Sequence, residues 1–242
     1  MTPTDTVAVI LAAGAGSRLG ELGRECSKPM VPVAGRPLID WVIAQLHAAG
    51  ADHIIVVGHP SDIALATFLR DHHPGSRLVL QPERRGIADA LRQALPLIDV
   101  DAAFVACACD SLFAADDVRA LIACGRLHAP TAVVGVLEMG AAATVSRSAV
   151  RLDGARVIEI VEKPRPGTVP SGLVAMPLYW LRRSFAPHLD AAPVLGGERY
   201  ISTALNAFVK AGGSVRAVSM SERVEVTTAD DVARAESWLR KR

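Results

Sequence analysis

The sequence predicts a doubly wound α/β fold: a mostly parallel, Rossmann-like sheet flanked by helices, with a small mixed or antiparallel extension. Three observations carry this expectation. Short apolar runs recur through residues 1–140, segments of helical spacing separate them, and after Gly140 consecutive strand-like runs follow one another.

The apolar runs are VAVILAA at 7–13, HIIVV at 53–57, RLVLQ at 77–81, AFVACAC at 103–109 and TAVVGVL at 131–137. Their hydrophobicity is continuous rather than alternating, which suits strands covered on both faces, as in a parallel sheet. Helical spacing marks 37–49, with Leu38, Trp41, Val42, Gln45 and Leu46; 61–72, with Ser61 as N-cap; 87–97; and 116–127, which Asp116 or Asp117 is suited to cap. Beyond Gly140, VSRSAVRL, RVIEIVEK and SGLVAMPLYWL read as strands, and Gly154 turns the chain between the first two. Helical pattern returns at 198–211, a strand follows at 214–219, and a last helix begins near Ala229. No repeat, low-complexity tract or long linker interrupts the 242 residues, so one domain is expected, divided into halves at 1–140 and 141–242.

Composition narrows the function classes. With 50% hydrophobic and 21% charged residues the chain is neither disordered nor collagen-like. The net charge is +1, so no global field draws a polyanion; neither nucleic acid nor an acidic membrane surface is expected as a partner, and phosphate binding has to be local. Cys26, Cys107, Cys109 and Cys124 lack the paired CxxC spacing of a zinc site and read as buried, reduced thiols. MTPTDTVAVILAAGAGS has no basic n-region and too short an apolar run for a signal peptide or membrane span, which implies a cytoplasmic protein.

The first apolar run enters Gly14-Ala15-Gly16-Ser17-Arg18-Leu19-Gly20. A glycine turn at the carboxyl end of the first buried strand is where open α/β sheets bind phosphates. This turn is not the dinucleotide fingerprint, because Leu19 stands where the third glycine would be and Val57-Gly58-His59-Pro60 supplies no acidic residue. Nor is it a Walker loop, since Glu21 rather than lysine follows Gly20. Its distinguishing feature is a pair of cations, Arg18 and Lys28, on one excursion, suited to a triphosphate whose charge one helix terminus cannot offset. Asp110 follows the fourth run, so its carboxylate should emerge at the same sheet edge. A single Asp there is a sufficient anchor for Mg²⁺, which takes one or two protein carboxylates together with phosphate oxygens and water.

LAAGAGSRL followed by SKPMVPVAGRPLIDW resembles the signature of the bacterial sugar nucleotidyltransferases, which join a nucleoside triphosphate to a sugar 1-phosphate and release pyrophosphate. QPERRGIADAL, Asp110, VEKP at 161–164, SGLVAMPLYWL, GERYISTALN and EVTTADDVARAE match in order, so the resemblance spans almost the whole chain and is strongest toward the thymidylyl- and uridylyltransferases of glucose 1-phosphate. It implies nucleotide contacts from Leu11, Ala13, Gly14, Gly16 and Arg18, catalytic charge stabilisation by Arg18 and Lys28, and base recognition by Gln81 and Gly86. It further implies Mg²⁺ on Asp110 and Glu225, sugar hydroxyls on Glu162, the sugar phosphate on Lys163 and a sugar contact at Gly172. Two positions depart from the family pattern: Cys109, where glycine is usual, and Glu225, where Asp is common.

Taken alone, these residues have plainer readings: a surface turn for the glycines, an exposed pair for Glu162 and Lys163, a solvated strand residue for Glu225, a bulge or hairpin for Gly172. The expected activity is a Mg²⁺-dependent transfer with dTTP or UTP favoured. The alternatives are a cytidylyltransferase acting on a phosphorylated alcohol such as phosphocholine, and a nucleotide-binding regulator without turnover. The sugar and any homo-oligomeric assembly are left open.

Overall fold

A computed structural model describes residues 5–16, 23, 26–165, 168 and 171–242. Nine strands form one sheet: β1 Val7–Leu11, β2 His53–Gly58, β3 Arg77–Leu80, β4 Ala103–Ala108, β5 Ala132–Glu138, β6 Ser148–Asp153, β7 Arg156–Glu162, β8 Leu173–Arg182 and β9 Val215–Ser219. Their order is β3-β2-β1-β4-β8-β5-β9-β7-β6, and β6 also touches β8. The strands β3, β2, β1 and β4 are mutually parallel. Between β4 and β5 runs β8, antiparallel to both. β9 is parallel to β5, and β7 is antiparallel to its neighbours β9 and β6. Of these nine strands only β8 and β7 oppose β1, so the mostly parallel sheet and its antiparallel extension both appear. Gly154, at φ +56°, makes the β6–β7 turn.

The helices are α1 Leu38–Ala48, α2 Ile63–His72, α3 Ile87–Ala94, α4 Ala115–His128, α5 Ala141–Thr144, α6 Ala186–Asp190, α7 Ile201–Lys210 and α8 Ala229–Leu239. Period-two alternation in the strands decides which helices each strand residue meets. Ala8 and Ile10 of β1 share a core with Leu38, Val42 and Leu46 of α1, Leu65 of α2 and Leu121 of α4. Val7, Val9 and Leu11 share the opposite core with Leu91 of α3, Leu189 of α6 and Leu205 of α7. All five β1 residues are buried, which accounts for their unbroken hydrophobicity. Each such Val, Ile or Leu contributes about 1.5–3 kcal/mol.

Local differences from the expected boundaries have local causes. Asp62, not Ser61, caps α2 by accepting from Leu65 N at 3.0 Å, while the Ser61 hydroxyl lies 2.7 Å from His59 Nδ1. Neither Asp116 nor Asp117 caps α4, whose N-cap is Ala114; Asp117 instead accepts from Ser221 N at 2.9 Å and Ser221 Oγ at 2.8 Å. α3 ends at Ala94 and continues as a 3₁₀ turn at Leu95–Leu97, where Pro96 removes an N–H. β1 ends at Leu11, leaving Ala13 beyond it. Cys107 and Cys109 are buried, whereas Cys26 and Cys124 are only half-buried. No described helix is long and apolar enough to cross a membrane.

Candidate active site

The adjacency of β1 and β4 builds the floor of the site. Leu11 pairs with Ala108, and the next amide past β4, Cys109 N, donates to Leu11 O at 3.1 Å. Asp110 therefore emerges beside the glycine turn. A 3₁₀ turn at Lys28–Met30, started by Pro29, brings Lys28 Nζ to 2.6 Å from Asp110 Oδ2. Ser111 Oγ donates to Asp110 Oδ1 at 2.9 Å. Arg18 lies outside the described residues.

The strand Arg223–Glu225 pairs antiparallel with Ser111–Phe113 and sets Glu225 opposite Ser111. Val226 N donates to Asp110 O at 2.8 Å, which ties this segment to the site. Arg223, whose side chain is 9% exposed, stands between the carboxylates, with Nη2 3.9 Å from Asp110 Oδ1 and 3.4 Å from Glu225 Oε1. Arg147 Nη2 donates to Glu225 Oε2 at 3.1 Å. Burial pushes the Asp110 carboxyl up, but Lys28 and Arg223 more than offset this and hold it below the ordinary aspartate value of 3.8. Glu225 behaves likewise: burial and the neighbouring Asp110 charge raise it, Arg223 and Arg147 lower it, and the net position is below 4.5.

The opposite wall comes from β3, β7 and α7. Gln81, just past β3, is buried; its Nε2 donates to Asp89 Oδ2 at 2.8 Å and to Gly86 O at 3.2 Å. Gly86 precedes α3 with φ +99° and ψ 173°, a region essentially confined to glycine. A Cβ there would stand 2.6 Å from Arg199 O. Glu162 ends β7 and accepts from Ser202 Oγ at 2.6 Å and from Ser148 Oγ. Lys163 follows in the left-handed region at φ +46°, where Pro164 disfavours the ordinary helical conformation. Its ammonium donates to Tyr200 OH at 3.2 Å and lies 4.9 Å from that ring's centre, and this hydrogen bond pushes the lysine pKa up.

Two adjoining cavities hold these groups. The larger, about 430 Å³, is lined by Leu11, Ala13, Gly14, Gln81, Gly86, Asp110, Glu162, Lys163 and Glu225 among others. The smaller is lined by Leu11, Gly14, Gly16, Lys28, Cys109, Asp110 and Thr227. Gly172 does not line either; a Cβ at Gly172 would meet the Glu138 carboxylate, and its carbonyl accepts from Met139 N at 3.0 Å. The remaining described residues singled out in the sequence thus meet in one cleft, and Cys109 fits beneath it as a buried core residue.

Sequence reasoning missed Arg147, Arg223, Tyr200, Ser202 and Thr227. Arg223 had a signal, the i, i+2 spacing to Glu225 that puts both on one strand face. Arg147 had none, because arginines are abundant in this chain and its partner is distant in sequence.

The donor set fits a hard cation shared with phosphates better than a closed protein cage. Among the described residues no group of three or more His, Cys, Asp or Glu could hold a metal. Asp110 and Glu225 nonetheless lie in one cavity, and Thr227, which lines the adjoining one, has a buried hydroxyl without a partner among the described residues. The capping box of α8 sets Thr227 there, since Asp231 Oδ2 accepts from Thr227 N at 2.9 Å and Thr228 N at 2.8 Å. Two carboxylates plus an oxygen donor suit Mg²⁺, which retains water and substrate oxygens.

Residues 8–209, most of the chain, match the family model described as a MobA-like NTP transferase domain. The chain belongs to the MobA-like NTP transferase family. It is 30% identical over 244 residues to UTP--glucose-1-phosphate uridylyltransferase AglF of Haloferax volcanii, covering 97% of this chain and 96% of that one. It is 41% identical over 93 residues to bifunctional protein GlmU of Hyphomonas neptunium, a match that takes in 37% of this chain and 20% of that protein. The chain spans about half of the longer-matched GlmU proteins, 47% in Methanococcus maripaludis. The crystal structure of UDP-glucose pyrophosphorylase complexed with UDP-glucose shares the fold at 18% identity and TM-score 0.87, over 99% of this chain and all of that one. Family membership and fold bear out the nucleotidyltransferase resemblance drawn from the sequence.

Proposed function

We propose that this chain transfers a nucleotidyl group from UTP or dTTP to a sugar 1-phosphate and releases pyrophosphate, with Mg²⁺ as cofactor. The observation that carries the reading is one cleft with two cationic ends: Lys28 against Asp110 beside the glycine turn, and Lys163 beside Glu162 across it. Both substrates are polyanions, so the chief requirement is to bring two repelling groups together.

Nucleophile and leaving group are already anionic, so no general base is needed, and charge stabilisation with in-line positioning supplies the rate. Lys28, with Arg18 from the same excursion, stabilises the triphosphate and departing pyrophosphate. Lys163 holds the attacking phosphate, and Glu162, fixed by Ser148 and Ser202, accepts from sugar hydroxyls. Asp110, Glu225 and Thr227 are the residues that would hold Mg²⁺, which when bound neutralises charge on the phosphate oxygens. The sugar contact at Gly172 rests on the sequence resemblance alone.

The test is pyrophosphate release by the full chain with Mg²⁺, each of UTP, dTTP, CTP and GTP, and a panel of sugar 1-phosphates plus phosphocholine. Release with a sugar 1-phosphate and UTP or dTTP is expected. Release with CTP and phosphocholine would install the cytidylyltransferase instead, and nucleotide binding without any release would make the chain a regulator. Thr227→Val supplies a finer check. Its hydroxyl has no internal partner among the described residues, so replacement should leave the thermal midpoint unchanged or raised while turnover falls roughly tenfold.

A further inference from the structure

We propose that Asp89 fixes the orientation of the Gln81 side-chain amide and thereby makes the site prefer a base that carries a hydrogen on ring N3, uracil or thymine, over cytosine. This rests on the transferase reading above. It concerns a residue that touches neither substrate nor metal in that reading: Asp89 lies in the first turn of α3 and acts through Gln81.

A glutamine amide offers two donors on nitrogen and an acceptor oxygen, and which end faces which neighbour follows from the hydrogen-bond network. Around Gln81 the network leaves one answer. The end placed at Nε2 meets Asp89 Oδ2 at 2.8 Å and Gly86 O at 3.2 Å. A carboxylate and a backbone carbonyl accept and cannot donate, so both N–H bonds are committed to them. Turning the amide over would press its oxygen against two other oxygens at those distances.

The rest of the residue is equally constrained. Gln81 N donates to Gly58 O at 2.8 Å, and the residue is 2% exposed although it lines the cleft. Asp89, with a side chain 13% exposed, has Arg92 Nη1 3.8 Å from its other oxygen, and Arg92 Nε in turn reaches Asp190 at 2.5 Å. With the nitrogen spent inward, the amide oxygen is the group left to meet a base. Uracil and thymine present N3–H to such an acceptor, whereas cytosine presents a lone pair at N3. An acceptor facing an acceptor in a desolvated site is penalised.

Asp89→Asn is the discriminating variant, because asparagine offers either an oxygen or an NH₂ of the same size and so permits the Gln81 amide to turn. The measurements are dissociation constants for UTP, dTTP and CTP on the full chain, and kcat/KM for each with a productive sugar 1-phosphate. Wild type should favour UTP and dTTP over CTP. In Asp89→Asn that ratio should fall roughly tenfold or more, through weaker UTP and stronger CTP, and Asp89→Glu, which restores an acceptor-only partner, should recover part of it. A merely structural role would weaken all three nucleotides alike. An unchanged ratio in a folded Asp89→Asn overturns the inference while leaving the transferase reading intact, and a wild type without preference for UTP and dTTP over CTP overturns the inference together with that reading's choice of nucleotide. Binding of none of the three by wild type overturns the transferase reading and this one with it. If Asp89→Asn does not fold, the same ratio is read on Asp89→Ala, which also removes the acceptor, and an unchanged ratio there overturns the inference.

Discussion

Lys28→Ala and Asp110→Ala each lower the rate of pyrophosphate release by roughly 10²- to 10⁵-fold, the range found when a charge-stabilising group is removed from phosphoryl transfer. The two act on one ion pair, 2.6 Å across, with side chains only 11% and 21% exposed, so neither loss is made good by bulk water. Their stability effects differ. Lys28→Ala leaves Asp110 with Ser111 and the more distant Arg223. Asp110→Ala leaves Lys28 and Arg223 facing one another without a shared anion, and should cost about 1–3 kcal/mol. The acid side follows from sign: because the folded pKa of Asp110 lies below 3.8, the pair's contribution is complete above pH 3.8 and lost as pH falls through the lowered value. Removing Lys28 moves that loss to higher pH. Initial rates and thermal midpoints between pH 3 and 7 check all three statements, and near-full activity in both variants would refute the assignment.

What could be read from the sequence divides along the range of the interaction. Strands β1, β2 and β4 were legible because burial on both faces writes itself into consecutive residues. The change after Gly140 to strands that follow one another was legible because antiparallel neighbours need only a turn such as Gly154. The insertion of β8 between β4 and β5 was not, since strand order is a property of contacts between residues some 70 apart, as in Tyr179 with Ala106. The same division holds in the cleft. Lys28 and Asp110 announced themselves by following, respectively, a glycine-rich turn and a buried strand. The Arg147–Glu225 pair joins segments 78 residues apart and left no local mark. Ser61 lost the cap of α2 to Asp62 over one residue, a difference in where the backbone turns rather than in side-chain chemistry. Glutamine 81 was legible as a polar residue ending a strand, but its orientation depended on Asp89 across a turn.

Gly86→Ala is the largest expected structural effect, and its cause is separable from chemistry. The residue sits at φ +99° and ψ 173°, where a side chain costs about 1–3 kcal/mol. The added Cβ would also meet Arg199 O at 2.6 Å and Arg199 N at 2.7 Å. Those are backbone atoms held by the Arg199 N to Arg85 O hydrogen bond at 3.1 Å, so no side chain can swing aside. Overpacking of this kind adds about 1–3 kcal/mol. For a chain of this size the sum lowers the thermal midpoint by roughly 5–20 °C. Function suffers by the same displacement, since Gly86 O holds the Gln81 amide and Glu198, beside Arg199, lines both cavities. Nucleotide KM should therefore rise along with the fall in midpoint. Gly14→Ala supplies the contrast: its Cβ would meet nothing within 4 Å, so the midpoint should hold. Nucleotide affinity should still drop, because Gly14 lines both cavities and, in the proposed reading, a methyl there stands where the triphosphate approaches the backbone. A stable Gly86→Ala would show that the short hairpin pairing Val194–Leu195 with Glu198–Arg199 yields easily, and an unaffected Gly14→Ala would move the triphosphate away from the turn.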